Sequence, residues 1–297
     1  MSAQPHPPVR PHTAPTRDAD NANANADANA DANTDANTGP LVDVTHDAYG
    51  MQGVVRLTLN RPAAFNALSE AMLDELQTQL SALETSDARV VVLAGAGRAF
   101  CAGHDLKEMR AAPSLAYYEA LFARCTKMML TIRRLPQPVI ARVHGVATAA
   151  GCQLVAMCDL AVAADTARFA TSGVNLGLFC ATPSVALSRN VLPKAALEML
   201  LTGEFIDALV ARQHGLINRV VPLDALDADI ATLAASICAK PRDAVRAGKA
   251  LFYGQLETGV EAAYQLAGQT MACNMMMDSA LEGVQAFVDK RPPAWCQ

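Results

Sequence analysis

Apolar and polar residues alternate over residues 54–60, where Val55, Leu57 and Leu59 share one face, as in a strand buried on one side. Asn60, Arg61 and Pro62 end it. Ser69 then stands where it can cap a helix that carries Met72, Leu73, Leu76, Leu80 and Leu83 at helical spacing. The continuous apolar run 90–93 suits a strand buried on both faces, and it stops at Gly95, Ala96 and Gly97. The same grammar repeats. A helix is predicted over Leu115–Arg134, stopped by Pro136 and Pro138, followed by a buried strand at Val139–Val143. Gly145 and a run of small residues lead into a helix over about 149–158, and a third buried strand follows at Leu160–Ala164. Residues 170–183 read as an irregular segment. Helices are then predicted over 185–191, 195–201 and 207–214, a strand over 217–221, and mostly helix to the end. Strands alternating with helices indicate the α/β class. Periodicity alone leaves a doubly wound sheet and a stacked spiral equally open.

Composition sharpens this picture at three points. With 297 residues, 52% apolar and 18% charged, the chain can bury a sizeable core. The formal charge of −5 and the lack of any Lys/Arg stripe argue against nucleic acid as a partner. No apolar run reaches the length of a membrane span. Residues 1–40 stand apart: a Pro- and His-rich start passes into Asn-Ala-Asp repeats without large apolar side chains, which reads as a disordered tail. Arg10 and Arg17 are the tail's only basic residues, too few for a persuasive mitochondrial presequence, so a cytoplasmic protein is expected. The eight cysteines form no CxxC pair, which argues against a zinc site or disulfide framework; buried free thiols and no bound metal are expected.

Candidate chemistry lies in two segments of one design. The strand at 90–93 runs through a Gly/Ala turn into FCAGHDL at 100–106, and the strand Val139–Val143 runs into GVATAAGCQ at 145–153. Turns with so little side chain let a ligand approach peptide N–H groups closely. The second also opens a helix, whose free N–H groups and dipole favour negative charge. Two such donors suit a developing oxyanion, each worth about 2.7–4 kcal/mol in a transition state. Taken singly, either turn is better read as a device for tight packing.

Taken together, FCAGHDL, PVIARVHGVATAAGCQLVAMCDLAVA at 138–163, ALEMLLTGEFIDA at 196–208 and NRPAAFNAL at 60–68 resemble the enoyl-CoA hydratase/isomerase (crotonase) superfamily. The four motifs occur in the family's order, and the resemblance spans about residues 50–295. It implies a crotonase spiral of ββα turns over 41–222 and a helical C-terminal trimerisation region over 223–297, assembled as a homotrimer or a dimer of trimers. It also implies an acyl-CoA thioester as ligand, with coenzyme A entering as part of the substrate and no separate cofactor. Matched residue by residue, the oxyanion N–H groups fall on His104 and Ala150. Contacts to the CoA moiety fall on Ala64, Phe65, Ala102, Asp105, Leu106 and Gly151.

The departures from the family pattern bear directly on the reaction. Where the family's hydratases carry two catalytic glutamates, this chain has Gln153 and Gly173. Water addition needs one group to take a proton from water and another to protonate the α-carbon, help worth about 10²–10⁴-fold. Glutamine does not titrate and glycine has no side chain, so standard hydration is doubtful. The expectation is an acyl-CoA protein that stabilises a thioester enolate. Decarboxylation, other chemistry on a CoA thioester, or acyl-CoA binding without catalysis stand as alternatives. Restoring glutamate at both positions is the natural test of whether the pocket lacks only its acids.

Other candidates weigh less. His104 acts through its backbone N–H alone or through its ring as well, and these readings are equally weighted. Asp105 is read as a helix cap, Asp159 and His144 as structural, and Glu198 as the partner of a cation. Cys152 and Cys180 have no evident base beside them, and Met275, Met276 and Met277 suit a helical core or a subunit contact.

Overall fold

Residues 39–296 are described by the computed structural model, so the tail expected over 1–40 lies almost wholly outside the described residues. The apolar runs form the strands of a six-stranded sheet: β1 (Val42–Thr45), β2 (Val54–Leu59), β3 (Val90–Gly95), β5 (Val139–Val143), β7 (Leu160–Ala164) and β10 (Arg219–Val221), side by side in that order. From β2 onward every pairing is parallel, and β3 and β5 are buried along almost their whole length. A second sheet holds four short strands, β4 (Ala99–Cys101), β6 (Val146–Thr148), β8 (Arg168–Ala170) and β9 (Ile206–Asp207). The long strands β3, β5 and β7 are each followed at once by a short one, β4, β6 and β8, and the chain then returns through helix. This alternation is the stacked spiral, and it excludes the doubly wound sheet.

The returning helices are α1 (Glu70–Glu84), α2 (Leu106–Ala111) with α3 (Leu115–Arg134), α4 (Ala150–Met157), and α5 (Ala181–Asn190) with α6 (Pro193–Thr202) and α7 (Ala208–Gln213). Ser69 caps α1 as expected, its Oγ accepting from the Met72 N–H at 3.2 Å, and the five apolar residues at helical spacing are all buried. Two expectations shift. The segment 170–183 is more ordered than its sequence suggests, with β8, a 3₁₀ turn at Ser172–Leu176, and α5 starting ahead of Pro183. Proline is tolerated there because the first-turn N–H groups have no partner inside the helix. The last predicted strand shortens to β10.

Helices α8 (Leu226–Cys238), α9 (Arg242–Leu256), α10 (Val260–Met275) and α11 (Asp278–Val288) complete the chain. Only α8 sinks several side chains, Leu226, Ile230 and Ala234, into the core. Met275 and Met276 are exposed here, so they fill no core within this chain. Glu198 is exposed and makes no ion pair among the described residues, contrary to expectation.

Helix α9 is fastened by charge instead. Lys249 Nζ lies 2.6 Å from Asp159 Oδ2 and donates to the carbonyls of Gln137 (2.9 Å) and Ile132 (3.1 Å). Tyr253 Oη donates to Asp159 Oδ1 at 2.8 Å, and the Val139 N–H donates to Asp159 Oδ2 at 2.6 Å. Burial pushes the Asp159 carboxyl up and the Lys249 ammonium down, while their attraction opposes both shifts. Both Asp159 oxygens, Lys249 Nζ and Tyr253 Oη have partners, which is the condition under which a buried pair holds its place.

One more device fixes the loop ahead of α1. Phe65 and Asn66 adopt positive φ (51° and 56°), a conformation asparagine tolerates better than phenylalanine. The fully buried Asn66 side chain donates to the carbonyls of Ala96 (2.8 Å), Ala99 (2.8 Å) and Phe100 (3.2 Å), and its Oδ1 accepts from the Arg61 N–H at 3.0 Å. The NRPAAFNAL motif is thereby locked onto the turn that leads into FCAGHDL.

Replacing Lys249 with alanine leaves the Asp159 carboxylate buried without its counter-charge. Chemical denaturation should show a loss of about 3–5 kcal/mol. Protection of α9 amides against hydrogen exchange should fall together with it.

Candidate functional site

The two Gly/Ala turns meet at the seam between β4 and α4. A Cβ placed on Gly151 would collide with the carbonyl of Cys101, so glycine lets the first turn of α4 rest directly on the β4 backbone. A Cβ on Gly103 would lie 3.1 Å from the Thr148 carbonyl and 3.2 Å from the Ala150 nitrogen, and Gly103 itself has φ 94°. Ala149, which precedes α4, is held at φ 51° and ψ −119°, a strained backbone for a residue with a side chain, and its N–H donates to the Ala170 carbonyl at 3.0 Å. The first turn is anchored from the other side by Leu68, which donates to the Gly103 carbonyl at 2.7 Å. The amides of His104 and Ala150 donate to no carbonyl among the described residues, and both residues line one cavity of about 170 Å³.

The lining of that cavity is mostly apolar. Ala64, Ala102, Leu106, Met109, Phe122 and Phe179 contribute to it, and Gly173, Ser172 and Thr182 lie on its α5 side. Among the described residues it contains no Asp, Glu, Lys or Arg, and His104 and Cys180 are its only titratable side chains. The His104 ring packs edge-on against Phe122 with centroids 5.6 Å apart, and neither ring nitrogen has a hydrogen-bond partner among the described residues. Burial lowers its pKa and favours the neutral ring, opposed in part by the nearby Leu68 carbonyl. Burial raises the Cys180 thiol, and the thiol of Cys152 is pushed up to about 12; neither favours a thiolate nucleophile.

Of the residues singled out from sequence, the structure brings His104, Ala150, Gly173, Ala64, Ala102 and Leu106 to this one cavity. Phe65, Asp105 and Gly151 are outside its lining. The Phe65 ring carries the Arg98 guanidinium 4.9 Å above its centroid. Asp105 caps α2, accepting from the N–H groups of Lys107 (3.0 Å) and Glu108 (3.1 Å), and pairs with Arg61 at 2.6 Å. Burial alone would raise its pKa, but the Arg61 hydrogen bond and the two N–H groups outweigh burial and lower it. His144 is structural, its Nε2 2.9 Å from the Gly97 carbonyl.

Gln153 falls elsewhere. It lines a second cavity of about 540 Å³ between α3, α4, α5 and α9, and Thr182 lines both cavities. The two departures from the family pattern therefore face different spaces. Position 173 is not simply empty either: a Cβ there would lie 2.5 Å from the Leu178 carbonyl and 2.7 Å from Cys180 Sγ. The Leu178 N–H donates to the Gly173 carbonyl at 3.0 Å, closing a tight turn over the place where a side chain would emerge. Phe122 and Thr182 were not foreseeable as lining residues from motif spelling. The one sequence signal for Phe122 is its place one turn after Tyr118, with which it stacks at 6.4 Å.

The enoyl-CoA hydratase/isomerase family model matches residues 50–297. Enoyl-CoA hydratase domain-containing protein 3, mitochondrial, from Mus musculus is 47% identical over 244 residues, covering 82% of this chain and 81% of that protein. The Homo sapiens protein of the same name is 46% identical over 246 residues, with the same coverage. Among solved structures, an enoyl-CoA hydratase from Mycobacterium smegmatis superposes with a TM-score of 0.85 at 64% identity, covering 87% of this chain and all of that one. Human enoyl-CoA hydratase domain-containing protein 3 superposes with a TM-score of 0.82 at 44% identity, covering 86% of this chain and 100% of that one. The relatives' names place them in the mitochondrion, which overturns the cytoplasmic expectation; a count of basic residues in a low-complexity segment does not fix a compartment. With the family model spanning five-sixths of its length and the crotonase spiral present, the chain belongs to the enoyl-CoA hydratase/isomerase family.

Proposed function

We propose that the protein binds an acyl-CoA thioester in the first cavity and stabilises the enolate or oxyanion formed at its carbonyl, without the carboxylate pair that drives water addition. One observation carries this reading: the unpartnered amides of His104 and Ala150 share a cavity whose lining holds no carboxylate. The amides supply the donors an oxyanion needs, preorganised by backbone that cannot move apart without breaking the glycine contacts. The His104 ring is the proton carrier in this proposal: it is the sole nitrogen base among the lining residues described, and both its ring nitrogens are buried without a hydrogen-bond partner. A second reading, decarboxylation of a malonyl-type thioester, gains support from the same lining, because no anionic side chain there repels a substrate carboxylate. Ala64, Phe65, Ala102, Asp105, Leu106 and Gly151 are the positions proposed to serve the CoA moiety, three of them from the cavity wall and three from the backbone that supports it.

Self-association belongs to this proposal. Helices α9, α10 and α11, with the residue that follows α10, leave Phe252, Val260, Tyr264, Met271, Met276 and Phe287 exposed, more large apolar side chains than a solvated helical region needs to show. A homotrimer or dimer of trimers built on these helices accounts for it.

Three outcomes test the proposal. Incubation of butyryl-CoA in D₂O should show deuterium entering the α-carbon, read by mass spectrometry, while crotonyl-CoA hydration stays far below the exchange rate. His104→Gln should cut exchange by about 10²–10⁴-fold. Because the folded His104 pKa is lowered, the neutral ring is fully present above the ordinary value of about 6.5, and exchange falls only at pH below it. Hydration at a rate matching exchange overturns the reading; binding with no exchange leaves a non-catalytic acyl-CoA protein; release of CO₂ from malonyl-CoA or methylmalonyl-CoA selects the decarboxylase.

Gly173→Glu, alone or with Gln153→Glu, should not restore hydration, since the Leu178 carbonyl occupies the path of the new side chain. It should instead lower stability by about 1–3 kcal/mol in a thermal melt. Light scattering after gel filtration should give a mass of three or six chains, and Tyr264→Asp should shift it toward the monomer.

A further inference from the structure

The second cavity has features that an apolar acyl chain does not require. Gln153 is only 5% exposed, its Oε1 is buried with no donor, and its amide nitrogen makes no hydrogen bond among the described residues. A plain hydrocarbon passing over this amide would strip its water and return nothing. Further along the same cavity, two guanidinium groups share one carboxylate: Arg133 Nη2 lies 2.6 Å from Glu257 Oε1, and Arg189 Nε lies 4.0 Å from the same oxygen. Glu257 is the only acid in the lining, so the cavity carries one positive charge in excess. Arg133 is held in place by Glu257, by the Tyr253 carbonyl at 3.3 Å and by the Tyr253 ring, with its guanidinium carbon 4.7 Å from the ring centroid. Arg189, by contrast, keeps one hydrogen bond, to the Val185 carbonyl of its own helix, and is half exposed.

The two cavities share one lining residue, Thr182. Ala150, in the first lining, and Gln153, in the second, lie three residues apart on α4, hence on one face of the helix. On the reading that a thioester sits at the Ala150 amide, a tail that passes Thr182 reaches Gln153 and the arginines.

We propose that the second cavity receives the distal end of the acyl group and selects chains that end in a carboxylate, recognised by Arg189 and by the Gln153 amide. The ligand class is a dicarboxylic acyl-CoA. This inference rests on the acyl-CoA reading of the first cavity and adds to it the chemistry of the tail. Substituting glutamine at 153 fits such a ligand better than glutamate would, because a second anion beside the tail carboxylate would repel it, whereas an amide N–H donates to it.

Isothermal titration of the full chain with matched pairs tests the inference: glutaryl-, adipoyl- and suberoyl-CoA against pentanoyl-, hexanoyl- and octanoyl-CoA. At the best-fitting length the carboxylate-ended thioester should bind at least about tenfold tighter than its methyl-ended partner. Arg189→Gln and Gln153→Leu should each bring that ratio toward one. Equal binding of the pairs, tighter binding of the methyl-ended member at every length, or a preference that survives both substitutions overturns the tail inference alone. If neither series binds, the acyl-CoA reading falls with it.

Discussion

Everything at the proposed centre depends on two stretches of main chain lying against each other with no side chain between them. Gly151 rests on the Cys101 carbonyl, and Gly103 on the Thr148 carbonyl and Ala150 nitrogen. This contact holds the β4 turn and the start of α4 at one distance, so the two free amides face one space. It also explains the strain at Ala149, whose positive φ turns the chain sharply enough for Ala150 to begin a helix at the seam. Buttresses then keep the arrangement from opening: Asn66 grips three carbonyls ahead of the first turn, Leu68 grips Gly103, and Arg61 reaches the Asp105 cap.

A second, electrostatic constraint joins the spiral to its C-terminal helices. Asp159 opens β7, one strand away from the site, and Lys249 belongs to α9, whose other residues Phe252 and Tyr253 wall the second cavity. The ion pair thus sets where that wall stands. Arg133 and Glu257 repeat the theme about two turns further on, where Glu257 caps the end of α9. Helix α8 joins the core through apolar side chains, whereas α9 is tied to it through these buried or half-buried charges, and several large apolar side chains of α9, α10 and α11 face outward.

The long elements were legible because each buried face writes its own period: β2 by alternation, β3 and β5 by unbroken apolar runs, α1 and α3 by helical spacing. The short strands β4, β6 and β8 were not, since three residues carry no period and their pairing is wholly non-local. The site was legible in its main chain, through glycine and alanine where side chains are excluded, and through the family's motifs. Its side chains were less so. Gln153 is a near-isostere of the family's glutamate and Gly173 an outright absence, and the fold parts them further: one lines a second cavity and the other is sealed by a turn. That difference depends on where the Leu178 carbonyl and Thr182 come to rest after 170–183 has folded, which no local pattern encodes.

The sealed turn at Gly173 has a bearing on descent. A lineage that loses one acid from an otherwise unchanged pocket regains it by a single substitution, and its chemistry stays one step away. Here the Leu178 carbonyl stands where a side chain at 173 would begin, and the Leu178 N–H is tied to the Gly173 carbonyl. A larger residue at 173 therefore needs the turn itself to be rebuilt, so more than one substitution separates this chain from a glutamate at that position.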